Sequence, residues 1–278
     1  MPISLEKVSY RPPSAEPGGA VSDVSLSIAD GEYVGIMGHA GCGKSSLLRV
    51  MSGLQRPDSG SVSVEAGQPG SGKSRARAAY FTPSSQLALC ESTARKELLL
   101  SLRRSELDKE EKDRRVEEAL SALGLGSEKY AGLSPFAWSE SERRLLALAA
   151  IIVARPSLLL LDEPFSGLDA PSRERAEQLF ARLSLNGLTI LAACNDSEFL
   201  AKYAKRVIIM DKGSVVRDGS AKSVFTDYYE LMRRGLPVPA VRETSRQLWQ
   251  REVNMPENII SYQQFIDRLK IIVWRRDK

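Results

Sequence analysis

The chain has 278 residues, a formal net charge of +4, and 42% hydrophobic and 27% charged residues. That is the balance of a globular protein with one large domain, or one domain and a small appendage. The charge is too small to argue for nucleic acid, and three scattered cysteines, Cys42, Cys90 and Cys194, speak against a disulfide framework and fit a reducing compartment.

Residues 1–6 carry neither the basic flank nor the apolar centre of a signal peptide. Residues 1–37 read as β-rich: Ile3, Leu5 and Val8 alternate with polar residues, and Val24, Leu26 and Ile28 do so again before an Asp30-Gly31 turn. A Pro/Gly-rich loop, residues 12–19, separates the two runs. The apolar stretch 33–37 then meets Gly38-His39-Ala40-Gly41-Cys42-Gly43-Lys44-Ser45, of the form G-x-x-x-x-G-K-S, and Leu47, Leu48, Val50 and Met51 follow at helical spacing. Strand, glycine turn and helix allow backbone N–H groups and a helix N-terminus to wrap an anion. Lys44 is placed to reach terminal phosphates and the Ser45 hydroxyl to ligate Mg²⁺. A second G-x-x-x-x-G-K-S stretch, residues 67–74, precedes Arg75-Ala76-Arg77-Ala78-Ala79 and offers no apolar helical face, so it reads as a flexible basic loop.

Residues 92–150 read as mostly helical, with the charged section 103–118 as a solvated face. The longest apolar run, 145–154, is too short to cross a bilayer, so work at a membrane requires another subunit to hold the chain there. The run 157–162 is a central strand, followed by a helix over 173–183, a strand over 188–193, a helix carrying Phe199, Leu200 and Tyr203, and a hairpin turning at Asp211-Lys212-Gly213. Such alternation predicts an α/β core with a mainly parallel sheet. The pattern places a nucleotide-binding unit in residues 1–220 and a helical extension in 221–278, with short helices split by Pro237, Pro239 and Pro256. The last helix opens at a capping box, Ser261-x-x-Gln264, and shows Phe265, Ile266, Leu269, Ile272 and Val273 on one side. That side either packs on the main domain or pairs with a partner.

An acidic pair at the end of an apolar strand is the second requirement of a triphosphate site. Asp162 can hold Mg²⁺, and Glu163 can polarise the attacking water as general base. With Pro164-Phe165-Ser166-Gly167-Leu168-Asp169 the block resembles the Walker B motif and D-loop of ABC-type ATPases, and Gly38 to Ser45, with Ser46 beside them, resemble Walker A. The resemblance spans nearly the whole chain and is closest to the ATPase subunits of energy-coupling-factor (ECF) importers of vitamins and transition-metal ions, through Val34-Gly35-Ile36-Met37-Gly38-His39, Ser134-Pro135-Phe136 and Val224-Phe225. It implies a P-loop NTPase core with an N-terminal antiparallel β subdomain, a helical insert and a C-terminal helical extension. It further implies ATP and Mg²⁺ as ligands, a second ABC ATPase paired head to tail, a transmembrane coupling subunit, a substrate-binding membrane subunit, and a peripheral place on the cytoplasmic face of the membrane.

Three departures stand out. Where the family has L-S-G-G-Q facing a partner's γ-phosphate, this chain has Trp138-Ser139-Glu140-Ser141-Glu142. Ser139 survives, both glycines are lost, and two carboxylates are gained. Unit charges of one sign about 4 Å apart repel by roughly 4 kcal/mol at an effective dielectric near 20. Ser139-x-x-Glu142 is also a capping box, able to satisfy the helix's own N–H groups. The family's switch histidine is replaced: Asn195 follows Cys194 after the strand, and it can donate a hydrogen bond to a γ-phosphate but carries no positive charge. The single histidine, His39, lies in the phosphate loop and either points outward or touches phosphate. Phe81 stands where the family's metal-contacting glutamine belongs, with Gln86 nearby as a substitute ligand. Tyr10 is the candidate to stack on adenine.

The reading is an ATP-binding subunit of an asymmetric ATPase heterodimer with reduced hydrolysis, dependent on a partner that supplies an intact signature. The alternatives are a catalytically silent ATP-binding regulatory subunit and a soluble ABC ATPase acting on nucleic acid; a weakly basic chain without a long basic arm disfavours the latter.

Overall fold

The computed structural model describes residues 3–13, 20–64, 78–126, 130, 133–256 and 258–276. Residues 67–74 with the second glycine pattern, positions 14–19 of the Pro/Gly-rich loop and the Val273 side chain lie outside the described residues.

Strands β1 (Ile3–Tyr10), β2 (Val21–Ile28) and β4 (Ser59–Val64) form an antiparallel sheet in the order β2-β1-β4. The other sheet takes β5 (Ala78–Phe81), β6 (Leu158–Asp162), β7 (Thr189–Ala193), β3 (Tyr33–Met37), β8 (Arg206–Asp211) and β9 (Ser214–Ser220), in that order. Its first five members run parallel and β9 closes it as an antiparallel edge. The fold is the expected P-loop NTPase architecture with an antiparallel β subdomain.

Alternation along each central strand explains why those strands read as unbroken apolar runs. Val34, Ile36, Leu158, Leu160, Leu191 and Ile208 face one core, together with the antiparallel sheet and helix α1 (Lys44–Met51). Tyr33, Met37, Leu159, Leu161, Ile190 and Ile209 face the other core. A parallel sheet buried on both faces needs side chains of this kind at every position.

The second core is covered by α2 (Ala94–Ser101), α3 (Lys109–Ala122), α4 (Glu140–Ile152), α5 (Ala170–Leu185) and α6 (Ser197–Tyr203). The charged section behaves as expected on its helical part. On α3, Arg114 and Arg115 pair with Glu111 along the exposed face, while Val116 and Ala119 are buried. α5 begins three residues before the expected start, because Asp169 caps it and Pro171 sits in its first turn.

Beyond residue 220 the chain divides. Val224 and Phe225 of α7 (Ala221–Thr226), Leu231 of α8 (Tyr228–Arg233) and Leu236 join the main core. α9 (Ala240–Gln250), α10 (Tyr262–Arg276) and the segment between them build a small cluster of their own from Val241, Met255, Ile259 and Phe265, with Leu269 and Ile272 against it. The apolar side of the last helix is thus spent largely on its own chain.

Candidate nucleotide site

The phosphate loop is shaped by three left-handed glycines. Gly38 has φ 151°, and a Cβ there would lie 2.3 Å from the Met210 carbonyl oxygen and 2.5 Å from Cys42 Sγ. Gly43 has φ 105°, and its Cβ would meet the Ala20 carbonyl oxygen at 2.4 Å. Gly41, at φ 78°, has open space around it and lies with Ala40 on the exposed crest of the loop. Only glycine suits the first two positions sterically. Gly43 precedes α1 without a side-chain cap, so the first-turn N–H groups are presented to an anion.

Lys44 begins that helix. Its side chain folds back over the loop, and Nζ donates to the carbonyls of Gly38 at 2.6 Å and His39 at 3.1 Å. Ser45 is half-buried beside it and Ser46 is buried.

β6 delivers the acidic pair. Asp162 is 3% exposed, and its Oδ2 accepts a hydrogen bond from the Tyr80 hydroxyl at 2.8 Å. Burial, reinforced by the Asp162 charge, pushes the Tyr80 hydroxyl well above the ordinary phenol range, so it remains a donor. Glu163 adopts φ 45°, rare outside glycine, and its N–H donates to the Ala193 carbonyl at 2.9 Å. Burial raises its carboxyl above the usual range, with Lys44 opposing and Asp162 and Asp196 adding to the rise. A carboxylate of raised basicity in the field of Lys44 and Asp162 suits a general base. The uncapped helix, the glycine cradle and the oxygen donors of Ser45 and Asp162 fit a nucleoside triphosphate with Mg²⁺.

Other expected residues sit differently. Tyr10 is 6% exposed, packed in the core beneath the antiparallel sheet opposite Val21, and shows no ring face for a base. Phe81 is 1% exposed in the other core, where an aromatic ring replaces a polar ligand. Gln86 lies on a short 3₁₀ turn, Ser85–Ala88, with its Oε1 3.4 Å from Arg144 Nη1. Arg144 also binds the Pro83 carbonyl and so draws this loop to the signature helix. His39 is exposed and turns its Nε2 to the Arg234 carbonyl oxygen at 2.5 Å, at the end of α8. The Asn195 amide grips Gly38: Oδ1 accepts from Gly38 N–H at 3.1 Å and Nδ2 donates to the Gly38 carbonyl at 3.0 Å.

The signature segment closes on itself. Ser139 caps α4 by accepting from the Glu142 N–H at 3.2 Å, and Glu142 Oε2 accepts from Ser139 N and Oγ, each at 2.9 Å. Tyr130 donates to the other Glu142 oxygen at 2.8 Å. Ser141 is buried, and its Oγ accepts the Asp169 N–H at 3.2 Å, fastening the D-loop to the signature helix. Glu140 stays exposed at the helix start.

Sequence reasoning missed Tyr80, Arg144 and the Ser141–Asp169 link. The Tyr80 contact depends on register: Tyr80 pairs with Leu160, and Asp162 points to the same side two residues on. The neighbours of β5, a four-residue strand, could not be deduced from its composition.

A glycine cradle at a helix N-terminus, an acidic strand end and a parallel sheet buried on both faces define a P-loop ATPase. Residues 21–166 match the ABC transporter family. The chain is 32% identical over 284 residues to the energy-coupling factor transporter ATP-binding protein EcfA2 of Clostridium perfringens, covering 98% of this chain and 99% of that protein. It is 30% identical to EcfA3 of Oenococcus oeni over 93% of this chain and 92% of that one. In fold it is similar to cbiO1 of Clostridium perfringens, described as part of the ABC transporter complex cbiONQ, with a TM-score of 0.69 over 88% of this chain and 93% of that chain at 23% identity. The chain belongs to the ABC transporter family, among the ATP-binding proteins of energy-coupling factor transporters.

Proposed function

We propose that this chain is an ATP-binding subunit of an ECF-type importer for a vitamin or metal ion, the degenerate half of an asymmetric ATPase heterodimer. The observation that carries this reading is the contrast between an open phosphate loop and a signature segment whose serine and glutamate satisfy each other. In the complete site, the first-turn N–H groups and Lys44 Nζ bind the triphosphate oxygens, and Glu163 takes the proton of the water attacking the γ-phosphorus. Ser45 and Asp162 would hold Mg²⁺, which when bound neutralises phosphate charge. The partner ATPase supplies an intact L-S-G-G-Q segment to this site. This chain in turn offers the partner's nucleotide Glu140 and Glu142, which suit a γ-phosphate poorly. Among the described residues no helix is long and apolar enough to cross a membrane, in keeping with a peripheral place on its cytoplasmic face, held by a transmembrane coupling subunit beside a substrate-binding membrane subunit. Nucleic acid has no part in this reading.

The test is steady-state ATPase measured on the chain alone and on the complex assembled with its partner ATPase and membrane subunits. Turnover is expected only in the complex; brisk hydrolysis by a homodimer overturns the asymmetric reading. A second reading, a silent ATP-binding regulatory subunit, is favoured by the uncharged Asn195 at the switch position. Binding of ATP without turnover in the full complex would select it.

A further inference from the structure

Strands β3 and β7 lie side by side, with Ile36 opposite Ala193. The ladder runs one step past the strand, where Cys194 N–H donates to the Ile36 carbonyl at 3.1 Å. At the next step the Asn195 side chain takes the place of a backbone: its amide pairs with both the N–H and the carbonyl of Gly38. The pairing consumes the amide's oxygen and one N–H whichever way the amide is turned, because Gly38 supplies one donor and one acceptor.

Both partners are held from behind. Cys194 is 2% exposed, and Asp196 caps α6 while pairing with Arg173. Gly38 has no room for a side chain, and its carbonyl also accepts from Lys44 Nζ. A histidine at position 195 has no adjacent donor and acceptor to match one peptide unit; an asparagine does.

We propose that Asn195 is a positioning residue that pins the entry of the phosphate loop, and that it acts equally on ATP and ADP instead of sensing the γ-phosphate. The switch position has thereby been converted from a reporter of nucleotide state into a fixed brace of the loop. This rests on the reading of residues 38–45 as a nucleotide site. It deepens that reading by predicting a site that holds its loop in one shape before and after hydrolysis.

The test measures equilibrium dissociation constants of Mg²⁺-ATP and Mg²⁺-ADP for the full chain and for Asn195→Ala. Amide hydrogen exchange over residues 34–44 and over β8 is followed in the same proteins without nucleotide. Two lost hydrogen bonds at roughly fivefold each make the expected weakening about 5- to 30-fold. It should be the same for both nucleotides, so the ATP/ADP ratio stays within about twofold. Exchange at Gly38, the donor to Oδ1, should quicken while β8 is unchanged, a local effect that general destabilisation would not give. Asn195→Asp, which keeps the acceptor and loses the donor, should fall between them in exchange at Gly38, and carries the test if the alanine variant folds poorly. Loss of ATP affinity alone, through the remaining Nδ2–H, overturns the proposal, as does unchanged affinity for both nucleotides. If the parent chain binds neither nucleotide, the site reading fails, and exchange at Gly38 still decides whether the brace exists.

Discussion

Among the described residues, the N-termini of α1 and α4 are the two helix starts that the proposed function turns toward a phosphate, and they are built in opposite ways. α1 starts after Gly43, which has no side chain to offer, so its first-turn N–H groups face an incoming anion. α4 starts after Ser139, which together with Glu142 completes a reciprocal cap, and Tyr130 occupies the remaining carboxylate oxygen. The same dipole and the same orphan donors exist at both ends. α4 keeps the cap serine that the family's L-S-G-G-Q also carries, so what sets it apart from a phosphate-facing start is the pair of carboxylates, Glu140 and Glu142, and the loss of both glycines. One end has been left open and the other closed, and the second closure brings two acidic groups with it.

The largest effect should come from the open end. Glu163→Gln removes the proposed general base and leaves the cradle intact, so turnover assigned to this chain's Walker site should fall by about 10²–10⁴-fold with ATP binding retained. Single-turnover hydrolysis and equilibrium binding in the assembled complex measure the two quantities. Unchanged turnover and transport would break the comparison, because the open end would then bind without reacting.

A smaller effect should come from reopening the closed end. Glu140→Gly, Ser141→Gly and Glu142→Gln together remove both carboxylates and restore both glycines, while the Ser139 hydroxyl keeps its cap on the helix. Loss of one transition-state donor costs on the order of 10²–10³-fold, so partial restoration should raise turnover at the partner's Walker site by about 10-fold or more. The readout is ATPase of the complex in a Glu163→Gln background, which silences this chain's own site. No gain would mean that the signature is not what limits that site.

Much of this was legible in the sequence, for reasons that differ by element. The phosphate loop and acidic pair could be read because glycine, lysine and carboxylate are required by the chemistry at fixed spacing. The Ser139–Glu142 capping box was equally local, three residues apart, and appears as expected. β4 was not legible, because Ser59-Gly60-Ser61-Val62-Ser63-Val64 is mostly exposed and polar and gains its place by pairing with β1. The fates of Tyr10, Gln86, His39 and Asn195 depended on tertiary neighbours: an apolar core, Arg144, the end of α8 and Gly38. A residue type states which bonds it can make, and only the fold states which of them are already taken.

The smallest effect tests the start of α5, next to the signature helix. Asp169 caps α5, and the hydroxyl and N–H of Ser172 hold its carboxyl below the ordinary aspartate value of 3.8, with the Ser141 hydroxyl and Arg175 contributing. A carboxyl depressed in the folded state contributes stability that is present above its unfolded pKa and lost as pH falls through the folded one. Asp169→Asn keeps a capping oxygen and loses only the charge. It should lower Tm at pH 7 by roughly 1–3 °C, and the gap from the parent chain should shrink below about pH 4. Thermal melts of both proteins between pH 7 and pH 3 measure it. A gap independent of pH would mean that the cap on α5 works through the shape and hydrogen bonding of the side chain and not through its charge. A gap that closes with acid would show that the ionised carboxylate stabilises the start of α5, next to the point where the Asp169 N–H meets Ser141 on the signature helix.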